Sequence, residues 1–325
     1  MMSPDEFRSK CKGIIPVQYC PYKENGDLDI EGLKRNTEFL VEFAEKGSKD
    51  LVIMTNGSTT EFYANSIEEQ KLVIKTVVET ADGRVPVVAG TSQAGTRETL
   101  KMTKYAEEVG ADCAMVVLPF YHTPTKEGMY QHYKKIAEAV KIGIMIYNNP
   151  AVSGALIDPW LMKRLSEIDN IVAVKDNTPN AAEYAWKAVL IKESDMALIC
   201  GLGELHYIGA AACGYKGFVT FIGNFAPSLS YELYEATSKG DFSKAMEALK
   251  KQMPLWSLMG KFMSKREDTS IIPVPLRANY MYMSVGKCCL DLVGLHGGPL
   301  RLPMDNLTES EKEEVKKTLQ EMGLI

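Results

Sequence analysis

The sequence predicts an α/β fold, a (β/α)8 TIM barrel with a C-terminal helical extension. Short apolar strands alternate with helix-period segments from residue 13 to residue 226, and beyond Ala226 the strand signal stops. An open doubly wound sheet is the competing fold. It would usually place a glycine-rich phosphate turn after the first strand, and Pro16-Val17-Gln18-Tyr19 is not one.

Strands are expected at Gly13–Gln18, Asp50–Thr55, Val85–Ala89 and Cys113–Leu118, then at Ile142–Tyr147, Ile171–Lys175, Ala197–Gly201 and Gly217–Thr220. Each is a short run rich in β-branched or other apolar residues, as a buried parallel strand requires. Helical periodicity fills the intervals, for example Asp29–Lys46, Ser66–Ala81, Thr96–Val109, Thr125–Val140 and Asp158–Ile168. Several of these open on Asp, Ser or Thr with Glu in the first turn, the pattern that satisfies free N–H groups at a helix start. Residues 1–226 are therefore assigned to the barrel and its catalytic rim, and 227–325 to helices packed on it. Within the extension, Pro227 to about Ser264 is helical in pattern, with Pro254 expected to kink or break it. Ser270–Gly286 and Glu309–Met322 are expected to add further helices. No flexible linker separates the two parts, so the extension is not read as an independent domain. The stretch around Trp256, Met259 and Met263 reads as core.

A chain of 325 residues with a net charge of −5 and no basic block is a poor candidate for nucleic-acid binding. The seven cysteines show no C-x-x-C pair, and several lie in apolar runs. They read as reduced thiols of a cytoplasmic protein, not as disulfides or a zinc site. No apolar stretch is long enough for a bilayer, and Met1-Met2-Ser3-Pro4-Asp5-Glu6 has no export pattern, so no membrane partner is expected. The four histidines are dispersed and offer no metal pair; His132 is expected on a helix surface. No Gly-x-Ser-x-Gly elbow is present, which weighs against a serine hydrolase.

In a barrel of this kind the chemistry lies at the C-terminal ends of the strands. The sixth strand ends at Lys175 and the fifth at Tyr147. An ammonium is costly to desolvate beside such strands, and the cost falls if the amine is neutral. A neutral amine can condense with a ketone, and a nearby phenol can shuttle the protons. The competing reading is that Lys175 marks the strand's exit into solvent. After the second strand, Gly57-Ser58-Thr59-Thr60-Glu61 offers hydroxyls and N–H groups to a carboxylate. The fourth strand leads into Phe120-Tyr121, the seventh into Gly201-Leu202-Gly203-Glu204, and the eighth ends at Thr220.

These motifs, taken in order, resemble the class I pyruvate aldolases and lyases typified by dihydrodipicolinate synthase and N-acetylneuraminate lyase. Gly57-Ser58-Thr59-Thr60-Glu61 resembles the family's G-[ST]-T-G-E, Pro119-Phe120-Tyr121 its P-[FY]-Y, and Tyr147-Asn148-Asn149-Pro150 its Y-N-x-P. Lys175 follows Tyr147 at the family spacing, and Gly297-Gly298-Pro299-Leu300-Arg301-Leu302-Pro303 resembles its R-x-P signature. The resemblance implies an imine between Lys175 and a 2-oxo acid, with no other cofactor and no metal. It implies that Tyr147 moves protons and that Ser58 and Thr59, beside Gly57, bind the substrate carboxylate. Tyr121 would reach into a neighbouring subunit's site, making the protein a homo-oligomer, a dimer or a dimer of dimers such as a homotetramer. The competing reading of Tyr121 is a stacked rim aromatic.

Departures bear on the substrate. Val152 stands where the synthase usually carries an Arg for its second carboxylate substrate, and the two side chains are not interchangeable. Tyr147 to Gly154 looks more like the lyase pattern, in which Glu204 would bind polyol hydroxyls. Against the lyase, Asp176-Asn177 follows the lysine and Gly203 precedes Glu204. Asn177 and Thr220 complete the expected substrate contacts. Thr60 replaces the family glycine, so the turn is expected to be crowded or to change its backbone. The expectation is a Schiff-base lyase for a 2-keto-3-deoxy sugar acid or a sialic-acid-like substrate. The alternatives are a dehydratase or deaminase working through the same imine, dihydrodipicolinate synthase itself, and a non-catalytic carboxylate-binding barrel.

Overall fold

The computed structural model describes all residues except 193–194, 268, 274–275 and 278. Eight parallel strands form one sheet: β1 (Gly13–Pro16), β2 (Ile53–Thr55), β3 (Val87–Gly90), β4 (Cys113–Val117), β5 (Gly143–Asn148), β6 (Ile171–Asp176), β7 (Ala197–Cys200) and β8 (Gly217–Thr220). β1 pairs with β8, and bridges Ile14–Leu51 and Val17–Met54 join it to the β2 segment, so the barrel closes. The expected strands are all present, with ends shifted by up to three residues: β2 starts three residues later than expected, and β3, β5 and β6 each run one residue further.

Among the described residues, thirteen α-helices accompany the sheet. An N-terminal α1 (Pro4–Lys10) precedes β1, a feature absent from the sequence expectations. Phe7 and Cys11 join the interior barrel cluster near Gly143 at the start of β5, covering the end opposite the strand C-termini. The barrel helices are α2 (Ile30–Glu45), α3 (Ile67–Ala81), α4 (Thr96–Glu108), α5 (Lys126–Ala137), α6 (Pro150–Ser153), α7 (Pro159–Leu165), α8 (Ala181–Leu190) and α9 (Glu204–Ala212). Asp29, Ser66, Thr125 and Asp158 each accept a backbone N–H of the helix they precede, confirming them as caps.

Strand parity decides what faces the barrel axis, because successive side chains point to opposite faces. Ile144, Ile146 and Val174 pack outward against helices, whereas Met145, Tyr147 and Ala173 belong to the interior cluster. In the β5–β6 register Tyr147 pairs with Lys175 and Asn148 with Asp176. Lys175 therefore turns inward with Ala173, and Asp176 turns outward.

The extension comprises α10 (Pro227–Ser238), α11 (Phe242–Met263), α12 (Met281–Leu292) and α13 (Glu309–Glu321). Pro254 does not break α11, which runs through it. Leu255, Leu258, Met259 and Phe262 bury that part of the helix against α12, α13 and the barrel residues Tyr19 and Phe221, and this packing outweighs the lost backbone bond. The helix expected at Ser270–Gly286 begins only at Met281. Pro273 contributes to the delay, since it lacks an N–H and restricts the residue before it. Three residues of that span, Val274, Pro275 and Ala278, lie outside the described residues.

The extension is locked to the barrel by polar contacts as well. Buried Lys287 on α12 sits 2.7 Å from Glu61 of the β2–α3 turn and donates to the Pro299 carbonyl at 2.7 Å. Arg301 forks onto Glu69 and donates to the Gly26 carbonyl. Glu61 and Arg301, both in family motifs, thus hold the extension over the strand ends.

Candidate active site

Lys175 is almost fully buried, with its Nζ 4.0 Å from the centroid of the Tyr147 ring and 3.9 Å from Met54 Sδ. Among the described residues no carboxylate lies within ion-pair distance of it. Burial without a counter-charge pulls the amine down to about 7. The solvent-exit reading of Lys175 therefore fails: the side chain goes into the barrel.

Tyr147 stands next to it in register, and its hydroxyl accepts a 2.6 Å bond from Asn149 Nδ2. Burial raises the phenol, while hydrogen bonds from Asn149 and Ser58 oppose that rise. The structure thus brings Lys175, Tyr147 and Ser58 together at one end of the barrel.

The turn after β2 is closed by its own polar groups. Thr60 Oγ1 donates to the Gln18 carbonyl at 2.7 Å and accepts from the Gly57 N–H at 3.2 Å. The left-handed positions are Asn56 and Glu61, not Thr60. A threonine in place of glycine therefore ties the turn down instead of crowding it. Gly90 allows this turn to sit close, because a Cβ there would lie 2.1 Å from the Asn56 carbonyl oxygen. Thr59 is buried and bonds the Tyr282 hydroxyl, a contact from α12.

A cavity of about 270 Å³ adjoins Tyr147, Gly57 and Ser58. Its aromatic wall comes from Phe62, Tyr63 and Phe120 on barrel loops and from Tyr280 and Tyr282 at the start of α12. Met115, Val117, Val152, Met283 and Met304 supply the remaining apolar surface, with Asn56 and Ser92 as polar members. Val152 therefore does face the cavity. Tyr280, Tyr282, Met283 and Met304 were invisible to a reading confined to strand ends. The signal available in the sequence was only the aromatic cluster Tyr280-Met281-Tyr282-Met283, with nothing to say where it docks.

Other expected site residues are placed elsewhere. Glu204 is buried at the start of α9, where it accepts hydroxyl bonds from Thr220 and, at 3.2 Å, from Ser230. Burial raises its carboxyl to about 7. Neither Glu204 nor Thr220 is among the residues bounding the cavity. Asn177 is half-buried, its N–H on the Asn148 carbonyl, and it fills the space over Gly201, where a Cβ would lie 1.9 Å from its Oδ1. Tyr121 is 81% exposed, stacks edge-on against His122, and does not line the cavity of its own chain. His132, expected at a helix surface, is buried instead. Met129, Tyr133 and Ile136 of the same helical face surround it in sequence, and Thr96 Oγ1 lies 2.9 Å from its Nδ1. Its position within that apolar period is the sequence signal for burial.

A lysine amine held near neutrality beside a phenol, at the working end of a (β/α)8 barrel, is the equipment of a class I lyase, an enzyme that works through a lysine imine. The chain belongs to the dihydrodipicolinate synthetase family, whose model matches residues 10–322. The 4-hydroxy-tetrahydrodipicolinate synthase of Archaeoglobus fulgidus is 34% identical over 97% of this chain and 99% of its own. That of Acetivibrio thermocellus is 35% identical, over 94% and 95%. Among solved structures, dihydrodipicolinate synthase from Aquifex aeolicus superposes with a TM-score of 0.83 at 30% identity, over 96% of this chain and 98% of its own. A prophage protein of the dihydrodipicolinic acid synthase family from E. coli K12, solved in complex with pyruvate, gives 0.83 at 26% identity, over 97% and 99%. Among the described residues, no helix is long and apolar enough to cross a membrane.

Proposed function

We propose that this chain is a Schiff-base lyase acting on a pyruvate-type 2-oxo acid through an imine on Lys175. The observation that carries this is the buried amine of Lys175, with no carboxylate partner among the described residues and lowered to about 7. Such an amine adds to the 2-oxo carbon, and loss of water gives the imine. Once protonated, the imine nitrogen draws electrons from C3, so a C3–H or C3–C4 bond can break to leave an enamine. Each step moves a proton, and Tyr147 is the group proposed to carry it. The Ser58 and Thr59 hydroxyls and amides are proposed to take the substrate carboxylate. The imine is itself the electron sink, so no cofactor is called on. Tyr121 is proposed to serve the site of a neighbouring subunit, which makes the working unit a dimer or a dimer of dimers in the cytoplasm. Its exposure, and its place outside its own cavity, support that reading.

Two observations bear on the second substrate, and they disagree. The relatives named 4-hydroxy-tetrahydrodipicolinate synthase favour condensation of pyruvate with aspartate semialdehyde. Val152 argues against it, because that aldehyde would meet an isopropyl group where a guanidinium is expected. The sugar-acid reading is weakened by Glu204, which is bonded to Thr220 and Ser230 and lies off the cavity. The test of the common core is borohydride reduction in the presence of pyruvate. Inactivation and a reduced adduct on Lys175 are expected. An adduct on another lysine, or none, would overturn the assignment.

A further inference from the structure

The composition of the cavity wall bears on what is joined to the 2-oxo acid. We propose that the cavity beside Tyr147 binds an uncharged aldehyde with a compact apolar or aromatic side chain. The enzyme would then make or split a 4-hydroxy-2-oxo acid carrying that group on C4. This rests on the reading of Lys175 as the imine lysine.

Among the described residues, no Lys, Arg, His, Asp or Glu lines the cavity, and Lys175 stands next to its wall, with Nζ 4.0 Å from the centroid of the Tyr147 ring. A charged aldehyde such as aspartate semialdehyde would bring an ammonium and a carboxylate against this wall without a counter-charge, which is strongly unfavourable. A polyol finds few partners, because three of the wall's hydroxyls are already engaged and Ser58, Tyr280 and Tyr282 are the others. Tyr63 OH points to Met283 Sδ, Ser92 Oγ accepts the Val117 N–H, and Tyr147 OH accepts from Asn149. The Oδ1 of Asn56 is itself buried and so is closed to a polyol hydroxyl.

Shape and softness point the same way. Phe62 meets Tyr63 and Phe120 edge-to-face, with centroids 6.0 and 6.2 Å apart, a surface on which another ring can pack. Met115, Met283 and Met304 supply polarizable side chains that adapt to an apolar guest. A volume of about 270 Å³ lies at the small end of ligand cavities, which run roughly 300–1,000 Å³, so the guest is compact.

The chemistry balances without a further reagent. The enamine of pyruvate, formed by loss of one methyl proton, gives its electron pair to the aldehyde carbon as the C–C bond forms. The aldehyde oxygen takes a proton, and water then hydrolyses the imine to release the product and the free amine.

The test is carboligation of pyruvate with benzaldehyde, D-glyceraldehyde and L-aspartate semialdehyde, run beside borohydride trapping with pyruvate alone. Benzaldehyde is expected to lead both others in kcat/KM by about tenfold or more. Val152→Arg is expected to move that preference toward aspartate semialdehyde while Lys175 still traps pyruvate. If trapping succeeds and either polar aldehyde matches or exceeds benzaldehyde, this proposal falls and the imine assignment stands. The same holds if Val152→Arg leaves the ranking unchanged. If trapping itself fails, both fall together.

Discussion

β6 and the helix after it each bury a lysine, and the fold treats the two in opposite ways. Lys187 on α8 points to the outer face of β6, where its Nζ lies 2.8 Å from Asp176 Oδ2 and 3.1 Å from Thr178. Tyr215 and Asn148 also bond Asp176, so the buried carboxylate is surrounded by donors. Lys175 points to the inner face and meets a tyrosine ring and a thioether. One residue of strand parity separates them: Asp176 adjoins Lys175 in the chain, yet its carboxylate serves Lys187. The Lys187 amine has a carboxylate partner, whereas the Lys175 amine has none among the described residues and is lowered by burial. The outer network has a second use, because Asn148 and Asp176 follow Tyr147 and Lys175 directly. Their bond ties the ends of β5 and β6 in the register that places the inner pair.

The sharpest test of this contrast is loss of the inner amine. Lys175→Ala is expected to lower turnover by on the order of 10⁴-fold or more, as when other covalent enzymes lose their nucleophile. Lys175→Arg should not rescue it, since a guanidinium does not supply a neutral amine. Methyl-proton exchange of pyruvate is the readout, and activity that survives Lys175→Ala would break the contrast outright. Tyr147→Phe should slow exchange by roughly 10²–10⁴-fold while borohydride still traps pyruvate. Unchanged kcat would make Tyr147 a packing residue.

Stability should show the reverse ranking. Lys187→Met leaves Asp176 buried with only neutral donors and should cost about 3–5 kcal/mol in denaturant unfolding. Adding Asp176→Asn should recover part of that loss. Lys175→Met, which removes an unpaired buried amine, should be neutral or stabilising. A loss from Lys175→Met as large as that from Lys187→Met would mean that Lys175 also has a charge partner.

The smallest effect is on pH. Because the Lys175 amine is lowered to about 7, the rate of imine formation with pyruvate should rise about tenfold per unit below pH 7 and level off above it. Between about 7 and the ordinary lysine value near 10.4 the unfolded chain binds the proton that the folded one has lost. The contribution of Lys175 to stability therefore rises with pH across that window and is flat below it. A profile that keeps rising to pH 10 would show a lysine with an ordinary pKa.

Much of this was legible in the chain. Eight apolar runs with capped helices between them specify a barrel, because each parallel strand must bury both faces and each helix one. Lys175, Tyr147 and the Gly57–Thr59 turn could be read as strand-end residues, since those positions depend only on local periodicity. What the chain could not show depends on contacts distant in sequence. The closure of the Thr60 turn needs Gln18, the fate of Glu204 needs Ser230, and the ceiling of the cavity comes from α12. His132 is buried, contrary to its expected surface position, because a polar residue within an apolar helical period packs inward when a neighbouring element offers its ring a partner. The sequence by itself determined the barrel and the residues at its strand ends. Only the tertiary structure decided which of these two buried lysines meets a carboxylate, because that depends on which side of β6 Asp176 faces.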